Sequence, residues 1–109
     1  MNYIDFQVKD KTYKLRLTTR NTVNLEKSLG CNPVAIFGAG DVIPTITVMV
    51  RILHASLQAL EHGITLDNAY DIFDSWLEDG HAATDFISVI VDIYKASGII
   101  KQDKEPEKN

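Results

Sequence analysis

The chain has 109 residues, of which 45% are hydrophobic and 24% are charged, and its formal net charge is −4 at pH 7. That length suits a single domain with one core, and the composition excludes a disordered or fibrous protein. The 11 Lys and Arg residues are scattered along the chain. Because nucleic-acid binding needs clustered basic side chains against the phosphates, the sequence argues against a nucleic-acid partner.

The cysteine content and the first residues bear on the compartment. The first residues do not combine a cationic segment with an apolar one, so no secretory signal is predicted. Cys31 is the single cysteine, which excludes an intramolecular disulfide and a zinc site built on several cysteines. We therefore expect a cytoplasmic protein without a cofactor, in which the Cys31 thiol is buried and inert.

Two alternating segments predict a β-hairpin. Residues 4–8 alternate apolar and polar side chains, and residues 13–17 do so again after Asp10 and Lys11. A period of two is typical of strands with one buried face. Since a lone hairpin is only marginally stable, we expect helices to cover its apolar face.

A short helix is predicted from Thr18 or Thr19 to Gly30. Either threonine can cap the first turn, and glycine is the usual residue just after the last turn. Three apolar side chains of this helix are available for burial, namely Val23, Leu25 and Leu29.

A longer helix is predicted from Pro44, placed in its first turn, to about Glu61. Its wide apolar side holds Ile46, Met49, Val50, Leu53, Leu57 and Leu60. Its narrow polar stripe holds Thr47, Arg51, His54, Gln58 and Glu61. A membrane span is the alternative interpretation, but the apolar run is short and the polar stripe interrupts it, so we expect no membrane insertion.

Two further helices are predicted, from Thr65 to Gly80 and from about Thr84 to Gly98. The first should bury Leu66, Ala69, Tyr70, Phe73, Trp76 and Leu77. The second should bury Phe86, Ile87, Ile90, Val91, Ile93 and Tyr94, with residues 99–100 packing back on the core. The sequence thus predicts one α+β domain over residues 1–100, a hairpin on a bundle of about four helices, with a disordered charged tail over 101–109.

Four carboxylates recur at spacings of four, three and four on the helix predicted from Thr65 to Gly80. They are Asp67, Asp71, Asp74 and Glu78. Such a stripe is typical of a solvated helix face, and it also suits contact with a basic partner helix. A divalent cation is a third interpretation, although cation sites normally take their oxygen ligands from a wrapped loop.

The connecting segment over residues 33–41 is a second candidate contact. It reads either as an apolar linker or as a helical turn, with Gly38 and Gly40 as flexible joints. Ile36 and Phe37 lie beside these glycines. They are either core residues or a partly exposed docking surface.

No set of residues predicts catalysis. His54, His62 and His81 have neither the close mutual spacing of zinc ligands nor a close cysteine. No acid, base and nucleophile can be assembled with any specificity, so we expect no enzymatic activity. His54, one turn before Gln58, is expected to be a partly buried histidine that forms hydrogen bonds.

Four short segments carry a family resemblance. They are residues 14–18 (KLRLT), 25–30 (LEKSLG), 62–65 (HGIT) and 97–100 (SGII). In this order they resemble tail assembly chaperones of long-tailed phages and prophages of Gram-positive bacteria. The shared features are strand, cap and turn signatures that extend over nearly the whole predicted domain.

The resemblance implies a function in virion assembly. It implies a small protein of the host cytoplasm that binds the tape measure protein, keeps it soluble and recruits tail tube subunits, and that is absent from the mature virion. The family carries no catalytic residues. A minor tail or head-to-tail completion protein is one alternative, and a small helical protein-binding adaptor is another. The free edge of the hairpin also makes a homo-oligomer possible.

Overall fold

The computed structural model of the chain describes residues 2–37 and 43–102. Within them, the hairpin strands are β1 (Ile4–Val8) and β2 (Lys11–Leu15), and the helices are α1 (Thr19–Leu29), α2 (Ile46–Leu57), α3 (Leu66–Glu78) and α4 (Phe86–Ala96). Short 3₁₀ helices cover Pro33–Phe37 and Ala83–Asp85. The predicted α+β class is confirmed. Gly38, Gly40 and residues 103–109 of the predicted tail lie outside the described residues.

The hairpin is antiparallel, with Ile4 opposite Leu15 and Val8 opposite Lys11. Its turn is therefore Lys9-Asp10, one residue earlier than predicted, and β2 begins at Lys11. Lys9 has a φ of 56°, in the left-handed region that a residue with a side chain rarely adopts. Its N–H donates to Asp79 Oδ2 at 3.0 Å, which ties the turn to the end of α3.

The core lies between the inner face of the hairpin and the four helices. Under β1 it is aromatic: Phe6 contacts the rings of Trp76 and Phe86 at centroid distances of 5.4 and 5.7 Å. Phe73 joins this cluster, 5.3 Å from Phe86 in an edge-to-face arrangement. Such geometry adds stabilisation to that of the buried area itself.

Threonines begin three of the helices. Thr18, Thr45 and Thr65 each accept a hydrogen bond from the backbone N–H three residues later. Gly30, with a φ of 74°, ends α1 as predicted. The predicted start of α2 at Pro44 is wrong by two residues, because Thr45 is the cap and Pro44 lies outside the helix.

Several burial predictions fail for a common reason. Ile46 is 52% exposed, Val23 is 41% exposed and Tyr70 is 40% exposed. Ile72, which is not among the residues expected in the core, is buried. Each failed residue lies at the border of an apolar stripe or in the first turn, where the position of the neighbouring helix decides the outcome. The α-helical part of α2 also ends at Leu57, earlier than the predicted Glu61.

The C-terminal end of α4 is fixed to the hairpin. Ser97 Oγ accepts the Leu17 N–H at 2.8 Å, and Arg16 Nη1 donates to the carbonyl oxygen of Ala96 at 3.2 Å. Ile99 and Ile100 are half-buried against the core, which confirms that prediction. None of the described helices has the length and apolar character that crossing a bilayer requires.

Candidate binding surfaces

A cleft of about 360 Å³ lies between α1 and α2, next to the first residue of α3. Its apolar lining is Leu25, Ala55 and Leu66. Its polar lining is Asn21, Asn24, Ser28, Arg51, His54 and Gln58. An apolar floor with a polar rim is typical of a site that receives side chains of a ligand or partner.

The rim of this α1–α2 cleft is held in place by hydrogen bonds to the backbone. Arg51 Nη1 donates to the Ser28 carbonyl oxygen at 2.8 Å, which joins α2 to α1. Gln58 Nε2 donates to the carbonyl oxygens of His54 and Ile64, both at 2.9 Å. The rim is therefore largely formed before any partner arrives.

His54 lies at the rim in the half-buried state that the sequence predicted. Burial lowers the pKa of its imidazole from 6.5, and a hydrogen bond with the backbone of Ile64 opposes this effect. The ring is therefore mainly neutral at pH 7. Among the described residues that line the cleft, Arg51 then supplies the one formal positive charge.

The four predicted carboxylates lie on α3 and are all exposed. The opposite face of this helix is buried, with Ala69, Ile72, Phe73 and Trp76 in the core. We call the four carboxylates, Asp67, Asp71, Asp74 and Glu78, the acidic face. Glu78 Oε1 pairs with Lys9 Nζ at 3.0 Å. Across residues 2–37 and 43–102, no three His, Cys, Asp or Glu residues are grouped to hold a metal ion, and a role of the acidic face in partner contact stays a prediction.

Ile36 and Phe37 are half-buried at the end of the first 3₁₀ helix. The Phe37 ring lies edge-on to Tyr94, with centroids 6.1 Å apart. Tyr94 is fully buried, and its hydroxyl donates to the Pro33 carbonyl oxygen at 3.0 Å. Burial raises the pKa of the Tyr94 phenol, and the nearby Cys31 adds to this effect. One side of Phe37 thus belongs to the core, and its predicted docking role remains a prediction.

The expected burial of Cys31 is wrong, because the residue is exposed. Gly30 turns the chain in the left-handed region immediately before it. Pro33, two residues later, occupies the buried position instead. Residue type favours the opposite arrangement, because Cys is among the most often buried residues and Pro is mostly exposed.

Sequence reasoning missed the α1–α2 cleft. Its lining residues come from two helices and from the start of a third, and no motif joins them. The nearest signal in the sequence is the polar stripe of α2, to which Arg51, His54 and Gln58 belong. That stripe indicates which face of α2 is exposed to solvent. It does not indicate that α1 leaves a cleft beside that face.

Comparison with known proteins gives a family for this chain. A model described as a family of unknown function, DUF6096, matches residues 3–109. The chain belongs to this family. The match includes the hairpin, the four helices, the α1–α2 cleft, the acidic face and the segment with Ile36 and Phe37. No curated protein and no solved structure matches the chain.

Proposed function

We propose that this chain is a non-catalytic tail assembly chaperone of a long-tailed phage or prophage of Gram-positive bacteria. In this proposal it works in the host cytoplasm, binds the tape measure protein, recruits tail tube subunits and is absent from the mature virion. The order of strand, cap and turn segments that resembles such chaperones motivates the proposal.

The α1–α2 cleft is the observation that best supports it. A tape measure protein is long and helical, and it needs a partner that covers an apolar stripe. In the helix-in-groove mode, apolar side chains of the client at successive turns enter an apolar floor, while rim groups contact its polar flanks. Leu25, Ala55 and Leu66 provide such a floor, and Asn24 and Ser28 stand exposed at the rim.

The acidic face suits a client that carries basic side chains. Asp67, Asp71 and Asp74 are exposed carboxylates on the helix that begins at the cleft. Exposed charges of one sign raise the association rate of an oppositely charged partner and add little to the affinity. Many copies that each bind weakly can then coat one long client.

The experiment measures binding to the tape measure protein, which the proposal expects to be a long helical protein encoded beside this gene. Asn24→Trp fills the cleft from an exposed α1 position, and Lys27→Trp places the same side chain on α1 outside the cleft lining. We expect Asn24→Trp to weaken binding by about tenfold or more, since a blocked hot spot costs more than about 1–2 kcal/mol. Lys27→Trp should bind as the wild type does.

Three results would contradict the proposal. One is equal binding by both tryptophan variants and the wild type, and another is no binding to the neighbouring protein at all. The third is the presence of this chain in purified virions, which would favour a minor structural protein. The DNA around the gene gives an earlier test, because a chaperone gene should lie between a tail tube gene and a very long gene for a helical protein.

A further inference from the structure

The two edges of the hairpin differ in their backbone hydrogen bonds. The Lys14 N–H points away from β1, since it donates to Glu61 Oε2 at 3.0 Å. Lys14 is opposite Asp5, and Thr12 is opposite Gln7. In an antiparallel ladder such pairs alternate with the hydrogen-bonded ones. The N–H and C=O groups of Asp5 and Gln7 therefore point outward, along the free edge of β1.

This outer edge of β1 is open in the part of the chain that the structure describes. The outward backbone groups of Asp5 and Gln7 have no partner among those residues. The edge of β2, in contrast, is partly covered: Glu61 accepts from Lys14, and the Ser56 carbonyl oxygen accepts from Arg16 at 2.9 Å. An unpaired strand edge is a template for a further strand.

A groove follows the open edge. A depression of about 460 Å³ lies between residues 5–7 and the start of α4 with Asp85 before it, and one of about 360 Å³ lies between residues 2–4 and the end of α4. The α4 wall includes Ser88, Val89 and Asp92, which recur on one helix face. The imidazole of His81, stacked on Trp76 at 4.4 Å, lines the wider depression. An added strand would thus have both a backbone partner and a surface for its alternate side chains.

The charged side chains that line this β1 groove favour one kind of partner segment over others. Its lining carries three carboxylates, those of Asp5, Asp85 and Asp92, and one ammonium group, that of Lys95. The Arg16 guanidinium also lies at the groove, since it donates to the carbonyl oxygens of Asn2 and Ala96. Among the described residues the formal balance is therefore minus one, which favours an occupant with Lys or Arg side chains. Two copies paired edge to edge would bring these carboxylates near those of the second copy, which disfavours a homodimer here.

We propose that the open edge of β1 binds an extended segment of a partner protein, in which basic and apolar residues alternate, as a third strand. The outward groups of Asp5 and Gln7 pair with its backbone. Its apolar side chains lie on Val89 and the Trp76–His81 wall, and its basic side chains, which point to the opposite face of the sheet, lie next to the exposed carboxylate of Asp5. This site is separate from the α1–α2 cleft and does not depend on the function proposed above.

The test uses a fluorescein-labelled peptide of alternating lysine and valine, measured by fluorescence polarisation. Gln7→Pro removes the outward N–H, and proline is tolerated at an edge where the N–H faces solvent. Thr12→Pro is the matched control, since Thr12 has the equivalent position on β2. We expect Gln7→Pro to weaken binding by about tenfold and Thr12→Pro to leave it unchanged. Asn24→Trp should also leave it unchanged.

Two further measurements keep the test decisive if Gln7→Pro does not fold. A peptide methylated on the backbone nitrogens of one edge should lose binding, and Asp92→Lys should weaken binding of the lysine peptide. Undiminished binding of the methylated peptide would overturn the proposal, as would equal binding of a peptide that alternates glutamate and valine. A chain that is dimeric in light scattering and that the peptide does not dissociate would show that a second copy occupies the edge.

Discussion

The two edges of the hairpin are built differently, although both strands have five residues and share one ladder. At β2, groups at and after the end of α2 accept the outward N–H groups of Lys14 and Arg16. At β1, the helices pack under the strand and leave its edge unpaired among the described residues. A contact that closes an edge contributes to stability, whereas an edge left open is available for binding. Substitutions at the two edges should therefore have different consequences.

The largest effect on the closed side is expected at Arg16. Its guanidinium donates to the Asn2 carbonyl oxygen at 2.7 Å and to that of Ala96 at 3.2 Å, so it joins the end of β2 to both termini of the domain. Arg16→Met keeps the stem and loses both hydrogen bonds. We expect the free energy of unfolding to fall by about 2–3 kcal/mol, as is usual for hydrogen bonds to charged groups.

Urea unfolding measures this effect, and Arg20→Met provides the control. Arg20 is exposed on α1, so its substitution should change stability by less than about 0.5 kcal/mol. An unchanged midpoint for Arg16→Met would mean that water replaces the guanidinium at no cost and that its two hydrogen bonds, to Asn2 and Ala96, do not stabilise this junction.

A smaller effect is expected where Glu61 covers the edge of β2. Glu61→Ala removes the acceptor of the Lys14 N–H, and Glu61→Gln keeps a neutral one. Because the contact is exposed to solvent, we expect a loss of about 1–1.5 kcal/mol for Ala and roughly half of that for Gln. Equal stability of the two variants and the wild type, measured by urea unfolding, would show that this edge is as open as β1.

The smallest effect concerns the turn that joins the two edges. Lys9 has a positive φ, which glycine adopts without the cost that a side chain imposes. Lys9→Gly and Lys9→Ala both remove the ion pair with Glu78, so their difference isolates the backbone. We expect Lys9→Gly to be more stable than Lys9→Ala by about 0.5–1 kcal/mol in thermal or urea unfolding. The reverse order would mean that the turn changes conformation in one of them.

The sequence predicts the local features of this fold well. Thr18 and Gly30 bound α1 as expected, because a cap and a left-handed exit depend on a few neighbouring residues. The exposure of Cys31 and Tyr70 depends instead on where a distant element packs. The candidate sites are harder to predict. The cleft depends on the spacing between α1 and α2, and the difference between the two hairpin edges depends on the position of Glu61 against Lys14.

The stacked pair of Trp76 and His81 gives this molecule a built-in optical reporter. The chain has a single tryptophan, so all indole fluorescence comes from one place. That place is the wall of the β1 groove, where the imidazole lies parallel to the indole at 4.4 Å. A segment that enters the groove changes the surroundings of this ring, whereas a client in the α1–α2 cleft does not touch it. Emission of the unlabelled protein thus distinguishes the two kinds of partner in a single titration.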